Sequence, residues 1–197
     1  MPAAIILAGG RSTRMGEDKA FVRAGGRPVI EVQIGALKEI FQGVYISAKD
    51  TSALEGLGAE VMADVCEDSA ALVGLYSALR ASRAEVNFCV ACDMPVIHRA
   101  LIEEMLRRVE GYAAVVPESA RGLEPTYAVY TKACCAGAGL LIERKEFAFR
   151  KLMEVSPALV VPRAEVSEIC GGADPFININ TLQDLERFRS LIERGEQ

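Results

Sequence analysis

Short apolar runs alternate with stretches of helical periodicity along the first 116 residues, and this alternation constrains the fold more than any other feature. Ala3 to Leu7, VYIS at 44–47, AEVMA at 59–63, VNFCVAC at 86–92 and AAVV at 113–116 read as strands. Between them, Ile30, Ile34, Leu37 and Phe41 fall at helical spacing from Val29, and Gly43 is expected to end that helix. Leu72, Leu75, Tyr76 and Leu79 mark a second helix, and Ile102, Met105, Leu106 and Val109 a third. Strands that alternate with helices imply βαβ units with right-handed crossovers. The expected fold is therefore α/β, a three-layer sandwich around a mostly parallel, twisted sheet.

The second half is less regular. PTYAVYT (125–131) reads as a strand, followed by helical pieces around 132–144 and 148–154 and a strand ALVV at 158–161. The chain closes on FININTLQDLERF, where Thr181 suits a helix N-cap with Asp184 three residues on. Leu182, Leu185, Phe188 and Ile192 would form that helix's buried stripe. At 197 residues the chain suits one domain, 1–197, with no repeat or linker.

A net charge of −5 excludes a broad nucleic-acid-binding surface, so any anionic ligand must be held by local positive charge. Met1 to Ala4 carry no basic leader, and the apolar stretch ends at Gly9, too soon to cross a bilayer. A cytoplasmic protein with no membrane partner is expected. The six scattered cysteines then read as reduced thiols. Cys89 and Cys92 form C-x-x-C within a strand, where residues three apart face opposite sides, which argues against a shared metal or disulfide. Cys134, Cys135 and the single histidine, His98, read as packing or surface residues.

The stretch LAGGRSTRMGEDKA (7–20) follows the first strand and combines glycines with Arg11, Arg14 and Lys19. It matches neither G-x-G-x-x-G nor the P-loop, because five residues separate Gly10 from Gly16 and Glu17 follows. The physical logic of phosphate binding survives. Glycines let backbone N–H groups approach phosphate oxygens, and Arg14 and Lys19 can balance their charge. The alternative is a solvated basic turn.

Asp93 ends an apolar strand just before Pro95. A carboxylate at the carboxyl end of a strand is well placed for a hard cation such as Mg²⁺, or it could cap a helix beginning at Pro95. Asp64 also follows a strand and reads as a loop acid or a ligand. Asn178 and Asn180, two apart, would share one side of a strand or belong to the turn into the last helix.

Together these segments resemble the molybdenum cofactor guanylyltransferases, within the Rossmann-like nucleotidyltransferases. Leu7 to Lys19 match that family's opening pattern L-A-G-G-x-S-x-R-M-G-x-D-K at every fixed position. CDMP (92–95), EPTYAVY (124–130) and FININTLQDL (176–185) follow in the family's order. The resemblance implies a nucleotide-binding half at about 1–95 and an acceptor half at about 96–197. GTP would lie over the opening loop, with backbone around Leu7, Ala8 and Gly9 facing the guanine, Gly10 also binding the nucleotide, and Arg14 and Lys19 holding the phosphates. Ser47, Asp64 and Leu72 would belong to the nucleotide pocket, Asp93 would bind Mg²⁺, and Asn178 and Asn180 would meet the acceptor. The implied activity is transfer of GMP from GTP to molybdopterin phosphate, in company with other cofactor-biosynthesis proteins and acceptor molybdoenzymes.

Two departures concern the nucleotide pocket. AALVG (70–74) replaces the family's G-P-L-x-G, keeping Leu72 and Gly74, and Ser47 stands where the family has asparagine. The alternatives are a molybdopterin cytidylyltransferase or another cytidylyltransferase, and a non-catalytic nucleotide-binding cofactor chaperone. Glycine at position 9, where cytidylyltransferases carry alanine, favours guanine.

Overall fold

The structure is a computed structural model that describes residues 1–8, 21–24, 26–66, 68, 70–179, 184–186 and 188. The opening strand β1 (Ala3–Leu7) is wholly buried, as its continuous apolar sequence requires. A two-stranded ribbon, β2 (Arg23–Ala24) and β3 (Arg27–Pro28), leads into helix α1 (Val29–Lys38). β4 (Gly43–Ala48) and β5 (Glu60–Ala63) follow, then α2 (Ala71–Ala81), β6 (Val86–Ala91) and α3 (Arg99–Arg107). The second half contributes β7 (Ala114–Ser119), β8 (Gly122–Leu123), β9 (Tyr127–Thr131), α4 (Cys134–Glu143), α5 (Phe149–Val155), β10 (Ala158–Val161) and α6 (Arg163–Ile169).

Among the described residues the main sheet has eight strands in the order β10-β7-β9-β6-β1-β4-β5, with β8 added beside β7. β1 pairs in parallel with β4 and β6, β4 with β5, and β10 with β7. β9 alone reverses within that path, antiparallel to both β6 and β7. The sheet is mostly parallel, as expected.

Alternation along the strands builds two cores. Ala4 and Ile6 face one side with Ile30, Ile34 and Leu37 of α1, Leu101, Ile102 and Met105 of α3, and Val166 of α6. Ala3, Ile5 and Leu7 face the other with Leu72, Leu75 and Leu79 of α2, Ala138 and Leu141 of α4, and Leu152 of α5. Each large aliphatic residue removed from water contributes roughly 1.5–3 kcal/mol, so these two layers supply most of the driving force. A third cluster joins Val22, Val29 and Val96 to Ile177, Ile179, Leu185 and Phe188, folding the tail over the start of α1.

Several local expectations are corrected. α1 stops at Lys38, not near Phe41. Glu39 N bonds Ala36 O and Ile40 N bonds Leu37 O, tightening the last turn, and Gly43 opens β4. Residues 177–179 are irregular, so Asn178 does not lie on a strand. Residues 184–186 and 188 are helical with Leu185 and Phe188 buried, as the stripe predicts, while Thr181, Leu182 and Ile192 lie outside the described residues. α6 was not anticipated.

None of the six cysteines forms a disulfide. Cys89 packs in the α2 face and Cys92 against the α1 face, so they point apart as strand geometry requires. Burial pushes the Cys89 thiol far up and that of Cys134 up to about 12, which suits packing residues. No helix among the described residues is long and apolar enough to cross a membrane.

Candidate active site

The carboxyl ends of β1, β4, β5 and β6 are tied to one another by backbone bonds that continue past the strands. Ala8 N donates to Ser47 O at 2.8 Å, Cys92 N to Leu7 O at 3.0 Å, and Asp64 N to Ala48 O at 3.0 Å. Leu7, Ala8, Ser47, Asp64 and Asp93 are thereby assembled along one edge, where parallel sheets bind ligands. Gly9, Gly10, Arg14, Lys19 and Asn180 lie outside the described residues.

Ser47 is completely buried. Its Oγ lies 2.7 Å from Asp64 Oδ1 and 3.0 Å from Gly74 O. Gly74, in the first turns of α2, lies at this corner with room for a methyl group. A Cβ there would meet Leu7 Cδ2 at 3.4 Å, Ser47 Oγ at 3.5 Å and Asp64 Oδ1 at 3.7 Å. Burial raises the Asp64 carboxyl above the usual aspartate range, outweighing the Ser47 hydrogen bond and the Lys49 charge, both of which lower it. Leu72 is completely buried beside them in the α2 core, and α2 has no side-chain cap at Ala70. Val65 N donates to Ser77 Oγ at 2.9 Å, fastening the loop after β5 to the same helix.

Asp93 sits in a turn directly after β6, closed by Met94 N donating to Ala91 O at 3.0 Å. The helix-cap alternative does not hold, because residues 94–98 are irregular and the next helix begins at Arg99. His98 caps it, its ring Nδ1 accepting from Leu101 N at 3.4 Å. Partial burial depresses the His98 pKa, consistent with a neutral capping ring. Its backbone N–H donates to Tyr127 Oη at 2.9 Å.

The tail meets this turn from the second half of the chain. Ile179 N donates to Asp93 O at 2.8 Å, which sets half-buried Asn178 one residue from the contact. Farther along the edge, Arg121 joins Glu124 Oε1 (2.9 Å) to Phe176 O (2.5 Å), and Ser119 Oγ bonds the same carboxylate oxygen at 2.7 Å. Phe176 packs edge-on against Tyr127, ring centres 5.4 Å apart. A cleft of about 260 Å³ opens beside this link, lined among others by Glu118, Arg163, Val166 and Asp174.

Sequence reasoning missed Gln33, Arg121 and Glu124 as supports of this edge. For Gln33 a signal existed, since it is a polar residue within the apolar stripe Ile30, Ile34, Leu37. For Arg121 none did, because its contact with Phe176 spans 55 residues.

Among the described residues no group of three or more His, Cys, Asp or Glu side chains could cage a metal ion. The donor set that is present, one hard carboxylate on a braced turn, fits an ion that takes most of its ligands from substrate phosphates and water, as Mg²⁺ does.

The chain is also similar in sequence and fold to known proteins. The family model described as "MobA-like NTP transferase domain" matches residues 4–159. A Pelotomaculum thermopropionicum protein named "Probable molybdenum cofactor guanylyltransferase" is 35% identical, covering 97% of this chain and 93% of its own. A "Molybdenum cofactor guanylyltransferase" of Desulfosudis oleivorans is 31% identical, covering 97% and 96%. The crystal structure of molybdopterin-guanine dinucleotide biosynthesis protein A from Archaeoglobus fulgidus shares the fold, with a TM-score of 0.85 at 24% identity over 98% of this chain and 100% of that one. The chain therefore belongs to the family of MobA-like NTP transferase domains and is a nucleotidyltransferase.

Proposed function

We propose that the protein transfers GMP from GTP to the phosphate of molybdopterin, forming a molybdopterin guanine dinucleotide and releasing pyrophosphate. The observation that carries this function is the convergence at Asp93: the turn after β6 is bonded to Leu7 at the end of β1, which we assign to the nucleotide, and to Ile179 beside Asn178, which we assign to the acceptor. The names of the relatives at 35% and 31% identity support the choice of substrates.

A molybdopterin phosphate oxygen attacks the α-phosphorus of GTP. One P–O bond forms, the bond to the bridging α–β oxygen breaks, and pyrophosphate leaves with that electron pair. The attacking phosphate is already ionised near neutral pH, so the protein need not supply a general base. Positioning and charge neutralisation carry the reaction. Backbone around Leu7, Ala8 and Gly9 would face the guanine, Gly10 would also bind the nucleotide, and Ser47, Asp64 and Leu72 would shape that side of the pocket. Arg14 and Lys19 hold the phosphates, and Asn178 and Asn180 orient the acceptor. Asp93 would hold Mg²⁺, which when bound neutralises charge on the phosphoryl oxygens. Residues 1–95 thus act mainly on the nucleotide and 96–197 on the acceptor, within one domain. The reaction belongs in the cytoplasm, and the product passes to acceptor molybdoenzymes.

The test is incubation with molybdopterin, Mg²⁺ and each nucleoside triphosphate in turn, following pyrophosphate and the dinucleotide product. GTP is expected to exceed CTP in kcat/KM. A CTP preference would make the protein a cytidylyltransferase, a second reading favoured only by Ser47 and the altered 70–74 segment. Binding of GTP with no product would leave a cofactor chaperone.

A further inference from the structure

The turn that carries Asp93 is held from below by a side chain with no place in the proposed chemistry. Gln33 is completely buried on α1, in the same stripe as Ile30, Ile34 and Leu37. Its Nε2 donates to Ala91 O at 2.9 Å and to Met94 O at 2.8 Å, so the two hydrogens of one amide clasp the carbonyls on either side of Cys92 and Asp93. The orientation of the amide is dictated by these partners, since the reverse would set its oxygen against two carbonyl oxygens. Among the described residues Gln33 Oε1 has no hydrogen-bond partner. A buried, unpaired amide oxygen is unfavourable, and an aliphatic side chain would avoid it. The amide is thus placed for its two donors.

The other backbone bonds that tie residues 91–94 to the rest of the fold come from three further directions, the first being Ala91 N, which donates to Thr126 O just before β9. Cys92 N is bonded to Leu7 O of β1, and Asp93 O to Ile179 N of the tail. With Gln33 added, the backbone from Ala91 to Met94 is braced by β1, by Thr126 beside β9, by the tail and by α1.

We propose that Gln33 is a positioning residue that fixes the Asp93 turn and thereby the carboxylate's metal affinity; this rests on the nucleotidyl transfer proposed above. Gln33 touches no substrate. It acts by removing the turn's freedom to peel away from α1, so the carboxylate stays aimed when the ion and triphosphate arrive.

The test uses Gln33→Met, which keeps length and removes both donors, and Gln33→Asn, which keeps the amide but draws it back by one methylene. Leu152→Ala, a buried truncation on α5 in the opposite core, serves as a control for lost stability. Calorimetric binding of GTP is measured with Mn²⁺ and with EDTA, without acceptor, and amide exchange is followed at Cys92 and Met94. Both Gln33 variants should weaken Mn²⁺-dependent GTP binding by about tenfold or more, while metal-free GTP binding stays within about threefold. Exchange at Cys92 and Met94 should quicken in both variants, and Leu152→Ala should leave the metal-dependent increment unchanged. Unchanged Mn²⁺-dependent binding in the Gln33 variants, or an equal loss with and without metal, would overturn the positioning role alone. A wild-type protein whose GTP binding does not respond to Mn²⁺ would instead overturn the metal-assisted function, and this inference with it.

Discussion

Ser47 Oγ lies 2.7 Å from Asp64 Oδ1 at the ends of neighbouring strands β4 and β5, with Gly74 O of α2 3.0 Å away on its other side. A hydroxyl has one hydrogen, so its use depends on the charge of Asp64. With the carboxylate ionised, the hydrogen points to Asp64. With the carboxyl protonated, Asp64 can donate to Ser47, and Ser47 in turn to Gly74 O. Burial, the dominant influence on Asp64, favours the protonated form.

A pH dependence follows with a definite sign. A carboxyl whose folded pKa is raised binds its proton more tightly in the native state than in the unfolded chain. Its contribution to stability is therefore present at low pH and falls as pH rises from the ordinary aspartate value through the raised one. Asp64→Asn should lack that decline and match or exceed wild-type Tm at neutral pH. The gain should stay below about 1 kcal/mol, because Asp64 is partly exposed and solvent screens it. Melting curves of both proteins from about pH 4 to about pH 7 check this, the difference between them isolating Asp64. A variant less stable at neutral pH would mean that Ser47 and Lys49 outweigh desolvation.

Lys19→Ala should separate turnover from folding. Lys19 belongs to a polar, glycine-containing stretch of the sequence, so its truncation is expected to remove charge rather than core volume. Losing one preorganised cation from the transferring phosphate should cost roughly 10²–10³ in kcat/KM. Steady-state kinetics with GTP, beside a thermal melt, measures both. An unchanged rate removes Lys19 from the mechanism.

The strands were legible because their apolar runs are continuous, fully buried in β1 and buried through the middle of β6, and the strand-end acids Asp64 and Asp93 could be placed from that alone. Direction was not. Tyr127–Thr131 has the same buried apolar pattern as its neighbours, and nothing in side-chain periodicity says that it runs antiparallel to them. α6 escaped notice because seven residues with Val166 as the sole buried side chain give too short a stripe. The bracing of the site was illegible for another reason. The contacts Gln33 to Ala91, Arg121 to Phe176 and Ile179 to Asp93 are long-range and depend on tertiary placement.

Packing of α4 and α2 can be tested with two glycines, one on each helix, that respond oppositely to the same change. A Cβ at Gly137 would lie 3.0 Å from both Ser156 Oγ and Val155 Cγ2, closer than side chains pack without shifting. Gly137→Ala should therefore destabilise by about 1–2 kcal/mol despite alanine's helix preference. At Gly74 the corresponding contacts of 3.4–3.7 Å are ordinary, and Gly74→Ala should hold or raise Tm by about 1–3 °C. If the guanine reaches the Ser47 corner, KM for GTP rises in Gly74→Ala although Tm does not fall. Equal Tm losses in the two variants would show that α2 and α4 do not pack as described.

Asp93→Asn tests the centre of the proposed site. With α3 capped by His98 and residues 94–98 irregular, helix capping no longer explains an aspartate at this position. Asparagine keeps the size of the side chain and its hydrogen-bonding oxygen, so ligand-free stability should change by less than about 1 kcal/mol. It removes the negative charge that a hard divalent ion needs. Nucleotidyl transfer should then fall by roughly 10²–10³, with the Mg²⁺ concentration for half-maximal rate rising and excess Mn²⁺ restoring part of the activity. The measurements are a Mg²⁺ titration of the initial rate, a Mn²⁺ rescue and a thermal melt without ligand. Full Mg²⁺-dependent activity in Asp93→Asn would exclude Asp93 as the metal ligand. A large loss of Tm would instead mark it as a structural carboxylate of the turn, its charge serving the fold rather than the ion.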